Sequence, residues 1–220
     1  MAARGRSNPL ALAVLSCLNE RPMHPYEIAG TLRERGKDGS IKLNYGSLYT
    51  VVESLLRRGL IAERETIREG RRPERTVYAI TEAGRLEHDD WLGEMISRPS
   101  AEFTQFEAAL SLMPCMPPDE VSRLLAIRRS RLETEIVSLR AIMEEMAKQG
   151  MPYLWAIEGD YLLTLREAEV GFVDNLIKKI NDGTLDGVEV WRRAHGSGEL
   201  PTEEDWKRAV MTTPTLRKVE

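Results

Sequence analysis

Cysteine is scarce: Cys17 and Cys115 are the only two in 220 residues, far apart and without CxxC or Cys/His spacing around them. That excludes a disulfide framework and a zinc knuckle and makes a reducing, cytoplasmic compartment the expected home. Histidine is nearly as sparse. His24, His88 and His195 lie in separate segments, none with a carboxylate or cysteine at the spacing of a triad or metal site. His88 stands beside Glu87, Asp89 and Asp90, but adjacent helical positions point apart, so a solvated helix face is expected there. Walker A and GxGxxG patterns are absent. The chain therefore carries no catalytic constellation, and no enzyme activity, cofactor or metal is expected. No apolar run approaches the ~20 residues of a membrane span. The apolar stretch Leu10–Leu18 behind Arg4 and Arg6 has the outline of a signal peptide, but Leu15 stands where a cleavage site carries a small residue.

What is present is a globular composition, 42% hydrophobic and 30% charged, enough for one large domain or two small ones. The net charge of -4 hides an asymmetry: residues 1–80 carry 14 Lys and Arg against 9 Asp and Glu, residues 81–220 carry 17 against 26. The front is basic and the back acidic, as expected if only the front meets an anionic partner.

The apolar periodicity predicts three short helices before residue 60. Pro9 opens the first, Pro25 the second, and Asn44 caps a third in which Leu48, Val51, Val52, Leu55 and Leu56 face a core, with Gly59 as its stop. The period then shortens. Leu60–Ile67 and Pro73–Ile80 read as two strands joined by a basic tip, Arg68-Glu69-Gly70-Arg71-Arg72. Thr81 caps a fourth helix through Leu86, Trp91 and Ile96. Helix, helix, helix, hairpin is the order of a winged helix-turn-helix. Beyond residue 100 helix formers dominate. A short helix over Phe103–Met113 is followed by two long ones, Asp119–Gln149 and the segment after Pro152, whose Leu154, Ile157, Tyr161, Leu165, Ala168, Phe172 and Leu176 recur at three and four. An antiparallel pair about 46 Å long at 1.5 Å per residue calls for a further partner, and a second copy is the simplest one. The expected fold is mainly α, with a winged helix-turn-helix over residues 1–98 and an antiparallel helical dimerisation domain over 99–182. The tail 183–220 has no assigned role and reads as loosely packed or docked back on the body.

With its apolar side inward, the third helix presents Ser47, Thr50, Glu53, Ser54 and Arg57, flanked by Tyr49. Small hydroxyls beside a tyrosine can enter a major groove and reach phosphates or base edges, while Arg68, Arg71 and Arg72 at a hairpin tip can reach phosphates or a narrow minor groove. Four segments then resemble the PadR-like transcriptional regulators: His24-Pro25-Tyr26-Glu27-Ile28, with Pro25 in place of the usual glycine; Gly46-Ser47-Leu48-Tyr49; Gly59-Leu60-Ile61; and Gly70-Arg71-Arg72-Pro73 with Tyr78-Ala79-Ile80-Thr81. The later helices resemble, more loosely, the long form of that family, with Phe172 where tryptophan is common.

The resemblance implies a homodimer, often a repressor, binding a palindromic double-stranded operator. Its helix around Tyr49 would lie in the major groove and its wing tip on the backbone or in the minor groove. The expected DNA-contacting residues are Tyr26, Asn44, Ser47, Tyr49, Thr50, Arg68, Arg71 and Arg72. Relatives released by phenolic acids or flat hydrophobic drugs suggest a planar aromatic effector, for which Phe103, Phe106, Tyr153 and Trp155 are the candidate lining. The rivals are a winged-helix protein adaptor and an aromatic-ligand sensor without specific DNA binding.

Overall fold

The computed structural model describes residues 8–67, 75–100 and 102–196. The chain divides into two compact units, Met1–Glu102 and Phe103–Glu220.

The first unit is built around α1 (Pro9–Glu20), whose Leu10, Ala11, Leu12, Ala13, Val14, Leu15, Cys17 and Leu18 are all buried. A helix apolar on every side must be surrounded. α2 (Pro25–Glu34), α3 (Tyr45–Arg57), the strand β2 (Arg75–Ile80) and α4 (Glu82–Ser97) all pack on it. α3 points Leu48, Val51, Val52 and Leu55 inward, with Leu56 only half-buried at the edge. Gly59, at φ +71°, ends α3 in the left-handed conformation that glycine tolerates best.

β1 (Ile61–Ile67) and β2 form an antiparallel pair running from Ile61↔Ile80 to Ile67↔Arg75, with Arg64 as an extra residue in β1 between the pairs Glu63↔Tyr78 and Glu65↔Val77. The expected strand start at Pro73 lies outside the described residues. A feature the sequence did not announce is the two-way backbone bridge between Met23 and Tyr78, each N–H donating to the other's carbonyl at 3.0 Å. It ties the hairpin to the α1–α2 loop.

Thr81 caps α4, its hydroxyl oxygen accepting from the Gly84 N–H at 3.1 Å while the hydroxyl lies 2.8 Å from the Gly59 carbonyl and 3.0 Å from that of Leu60. Helix end, strand start and helix cap thus meet at one residue. Gly84 lies so close that a Cβ there would run into the Leu60 carbonyl and come within 2.7 Å of Ile80 Cγ1. α4 turns Gly84, His88 and Trp91 inward, three and four apart on one face, and leaves Leu86 and Ile96 exposed. The solvated position expected for His88 is therefore corrected: it is buried, with Nε2 3.0 Å from Ser16 Oγ on α1 and Nδ1 2.8 Å from Asp89. The imidazole lies between the Asp89 carboxylate and the Ser16 hydroxyl, which also reaches the Leu12 carbonyl. This is a tie between helices.

The second unit contains α5 (Gln105–Leu112), α6 (Pro118–Lys148), α7 (Ile157–Asn181) and α8 (Val188–Gly196). α6 and α7 form an antiparallel hairpin whose core gathers Val121 and Leu125 against Val173 and Ile180. Arg128–Glu169, Arg129–Asp174, Arg140–Glu167 and Arg166–Glu135 pair across it. Farther along α6, Leu139, Met143 and Met146 are only half-buried. On α7 most of the line predicted from sequence is outer: Ile157, Tyr161, Leu165, Ala168 and Phe172 are exposed, Leu176 is half-buried against the hairpin core, and Val173 and Ile180, outside that line, are buried. Spacing at three and four identifies an apolar line without saying what covers it. The described part of the tail forms α8, which bonds back through Trp191 Nε1 to the Met116 carbonyl (2.7 Å) and Arg192 to the Ile180 carbonyl (2.6 Å).

Overpacking at the Gly84 contact gives a direct test. Gly84→Ala is expected to lower stability by about 2–3 kcal/mol, since the backbone of Leu60 must move to admit a methyl group. Chemical denaturation of the two proteins, compared at matched m-value, measures it.

Candidate nucleic-acid interface

α2 and α3 present the candidate residues from their N-terminal ends. The α2 start is a capping box: His24 Nδ1 accepts from the Tyr26 N–H at 3.1 Å and the Glu27 carboxylate accepts from the His24 N–H at 2.8 Å. This fixes Tyr26 on the first turn, with 60% of its surface exposed. At α3, Asn44 Oδ1 accepts from the Ser47 N–H at 2.7 Å. The cap uses the Asn44 oxygen and leaves its amide NH2 as the group free to donate outward. Ser47 is half-buried beside that cap, less open than its place on the helical wheel suggested. Tyr49 and Thr50 are exposed, and the Thr50 hydroxyl donates to the Gly46 carbonyl at 3.0 Å, so its oxygen faces outward as an acceptor.

The sequence reading missed Tyr45. It stacks on Tyr26 with ring centroids 6.1 Å apart and planes 12° from parallel. Tyr45 lies one helical turn before Tyr49 on the same side of α3, and that spacing was a signal available in the sequence. Tyr26, Tyr45 and Tyr49 are all exposed, a concentration of aromatic hydroxyls outside the core. On β2, burial chiefly and the carboxylates of Glu63 and Glu53 secondarily push the Tyr78 phenol above its ordinary range. Arg68, Arg71 and Arg72 lie outside the described residues, and the structure supplies only the two strands that lead to them.

The four aromatic residues predicted to line an effector site are not gathered within one chain. Phe106 lies in a cleft of about 510 Å³ between α5, α6 and α7, where the Arg128 guanidinium sits 3.7 Å from its ring centre and Phe172 meets it edge-on at 6.5 Å. Phe103 precedes α5 and is 94% exposed. Tyr153 and Trp155 occupy the short 3-10 turn at the other end of the hairpin, where the Tyr153 hydroxyl bonds to Asp160. Sequence reasoning missed Phe172 and Arg128 as companions of Phe106, because they come from two different helices. Among the described residues no three His, Cys, Asp or Glu side chains could share a metal ion, and no helix is long and apolar enough to cross a membrane.

Three helices, a tied two-stranded wing and an outward polar face on α3 define a winged helix-turn-helix protein. Residues 14–90 match the model of the transcriptional regulator PadR-like family. The chain is 24% identical over 163 residues to the negative transcriptional regulator PadR of Bacillus subtilis, covering 73% of this chain and 88% of that one. Over that segment the chain is similar to the PadR-like family of transcriptional regulators. The fold is shared with Bacillus subtilis PadR in complex with operator DNA (TM-score 0.59, 19% identity, 78% and 98% of the two chains). It is shared also with the same protein in complex with p-coumaric acid (0.60, 17%, 82% and 99%). The Vibrio cholerae virulence activator AphA has it as well (0.56, 18%, 79% and 98%).

The α2 cap is pH-sensitive. Burial, and the nearby Arg75 charge, hold the His24 imidazole below its ordinary pKa, while Glu27 opposes the shift. The unfolded chain therefore binds the proton more readily, so the cap's contribution is full above the ordinary histidine pKa and is lost as pH falls through the lower folded value. Urea midpoints between pH 8 and pH 5 are expected to fall less for His24→Asn, whose amide keeps a capping oxygen, than for the parent protein. Parallel curves would contradict the assignment.

Proposed function

We propose that the protein is a cytoplasmic repressor that binds a palindromic operator as a homodimer and is released by a small planar aromatic ligand. The observation that carries the DNA-binding reading is the outward face at the start of α3, where Asn44, Tyr49 and Thr50 are exposed and Tyr45 stacks on the exposed Tyr26 of α2. Helix N-termini with spare donors suit phosphates, and the following turn suits base edges. In this reading Tyr26, Asn44 and Ser47 position the helix on the backbone, Tyr49 and Thr50 reach into the groove, and Arg68, Arg71 and Arg72 extend the contact from the wing tip. The relative in complex with operator DNA and the negative regulator PadR support it. The activator AphA has the same fold, so the sign of regulation rests on the likeness to PadR alone.

Dimerisation is supported by the apolar side chains left open on the two hairpin helices: Val137 and Ile142 on α6 and Tyr161, Leu165 and Phe172 on α7 are 44–66% exposed. A surface of that length on two long helices fits a second copy of itself, with residue facing residue about a two-fold axis. The aromatic effector is assigned to the Phe106 cleft, where a flat ring could stack near Phe172 and an anionic group meet Arg128 or Arg166. The complex of PadR with p-coumaric acid supports that chemistry.

Fluorescence anisotropy against DNA from upstream of the protein's own gene tests DNA binding. Saturable binding that survives scrambled competitor is expected. Tyr49→Ala should weaken it about ten-fold or more for the specific site. Arg71→Ala with Arg72→Ala should weaken every duplex and flatten the salt dependence. Equal affinity in all three proteins would refute these roles. For the assembly, sedimentation velocity of Tyr161→Glu with Leu165→Glu is expected to give a folded monomer where the parent gives a dimer.

A further inference from the structure

Most arginines of the first unit with a described partner are answered by a carboxylate. Arg35 is bidentate to Glu20 (2.5 and 2.7 Å), Arg58 meets Glu87 at 2.8 Å, and Arg98 meets Glu94 at 2.8 Å. Arg33 is held otherwise. Its guanidinium carbon lies 4.7 Å from the centre of the Tyr45 ring and its Nη1 donates to the Tyr45 hydroxyl at 2.7 Å. No carboxylate lies within 4 Å of it among the described residues. A ring and a phenol fix the direction of a guanidinium while leaving its positive charge uncancelled, and most of its five N–H donors remain free.

The same Tyr45 ring stacks on Tyr26. Tyr26 and Arg33 are seven residues apart, two turns of α2 and so on one side of it, about 10 Å along the axis at 1.5 Å per residue. Tyr45, the first residue of α3, lies between them and locks the two helices together. All three side chains are exposed. Each strand carries one phosphate per about 3.4 Å of helix axis, so a row of this length spans several phosphates and has room for two backbone contacts.

We propose that Arg33 is a phosphate-contacting residue and that Tyr45 is its positioning residue, the row Arg33–Tyr45–Tyr26 forming a rigid ledge that follows one strand of the operator backbone. This rests on the DNA-binding reading above and adds a cation that neither the motif pattern nor the wing supplies. Held by stacking, Arg33 loses little further side-chain freedom on binding, and its charge releases counterions that a carboxylate-paired arginine would not. The contact carries no sequence information, so it acts on operator and non-operator DNA alike.

The test is anisotropy at several salt concentrations with the operator duplex and a scrambled duplex, on full-length Arg33→Ala, Arg33→Lys, Tyr45→Ala and Tyr45→Phe, each first shown by thermal unfolding to be folded. Arg33→Ala is expected to weaken both duplexes about ten-fold and to reduce the salt slope by about one per protomer. Arg33→Lys should restore the slope but not the full affinity, since an ammonium neither stacks nor forks in the same way. Tyr45→Ala should reproduce most of the Arg33→Ala loss. Tyr45→Phe, which keeps the ring and removes only the hydroxyl, should give a smaller loss and keeps the test decisive if Tyr45→Ala fails to fold. Unchanged affinity and slope in Arg33→Ala overturn the proposal while leaving operator binding intact. A loss confined to the operator with an unchanged slope also overturns it, because that is base reading. Parent protein that binds no duplex saturably overturns the DNA-binding reading and this proposal together.

Discussion

The first unit depends on one constraint: α1 has no polar face on which to rest against water. Its Leu10, Leu15 and Leu18 are nearly inaccessible, and the small Ala11 and Ala13 let neighbours approach closely. α2, α3, α4 and β2 are placed by the need to cover it, so the angle at which α3 offers its outer face is set from behind. The ties seen elsewhere refine that placement. Met23–Tyr78 anchors the wing, Thr81 joins the end of α3 to the start of α4, and Ser16–His88 pins α4 to α1. Burial also pushes the Cys17 thiol up, which keeps it inert inside this core.

Much of this unit is legible in the sequence because local and tertiary signals agree there. Asn8, Asn44 and Thr81 are caps by residue type and by geometry, and Gly59 stops α3 where the hydrophobic period ends. What was not legible came from contacts across long separations. Nothing local marks His88 as buried, since its adjacent acids suggest water, and only the packing of α4 on α1 brings it 3.0 Å from Ser16. Gly84 likewise looks like an unremarkable helix glycine until the Leu60 carbonyl is seen against it. Tyr26 and Tyr49 were found by pattern, whereas Arg33 and Tyr45 belong to the same surface only because two helices cross there.

In the second unit the two long helices and their turn were legible in the sequence, but hydrophobic spacing did not say which α7 line the hairpin covers. Two lines run along α7, one through Val173 and Ile180 into the hairpin and one through Tyr161 and Leu165 out of it. The outer is the more regular in sequence, a pattern suited to a repeated interface, and the inner is interrupted by Arg166 and Glu169, which pair across to Glu135 and Arg128. Charges on an inner line escape a search for hydrophobic spacing.

Those pairs have a consequence for alignment. Beyond Ile136 the hairpin has little buried apolar surface, and half-buried leucines and methionines accept one neighbour nearly as well as another. Charge does not. Sliding α7 by one turn would set Arg129 against Lys178 in place of Asp174 and Arg128 against Val173 in place of Glu169. Solvent-exposed ion pairs contribute little net stability, yet this slide sets two cations face to face at one rung and leaves the charges of the other rungs without partners. The hairpin is thus keyed like a toothed rack: the teeth bear little load, but only one meshing is open to it.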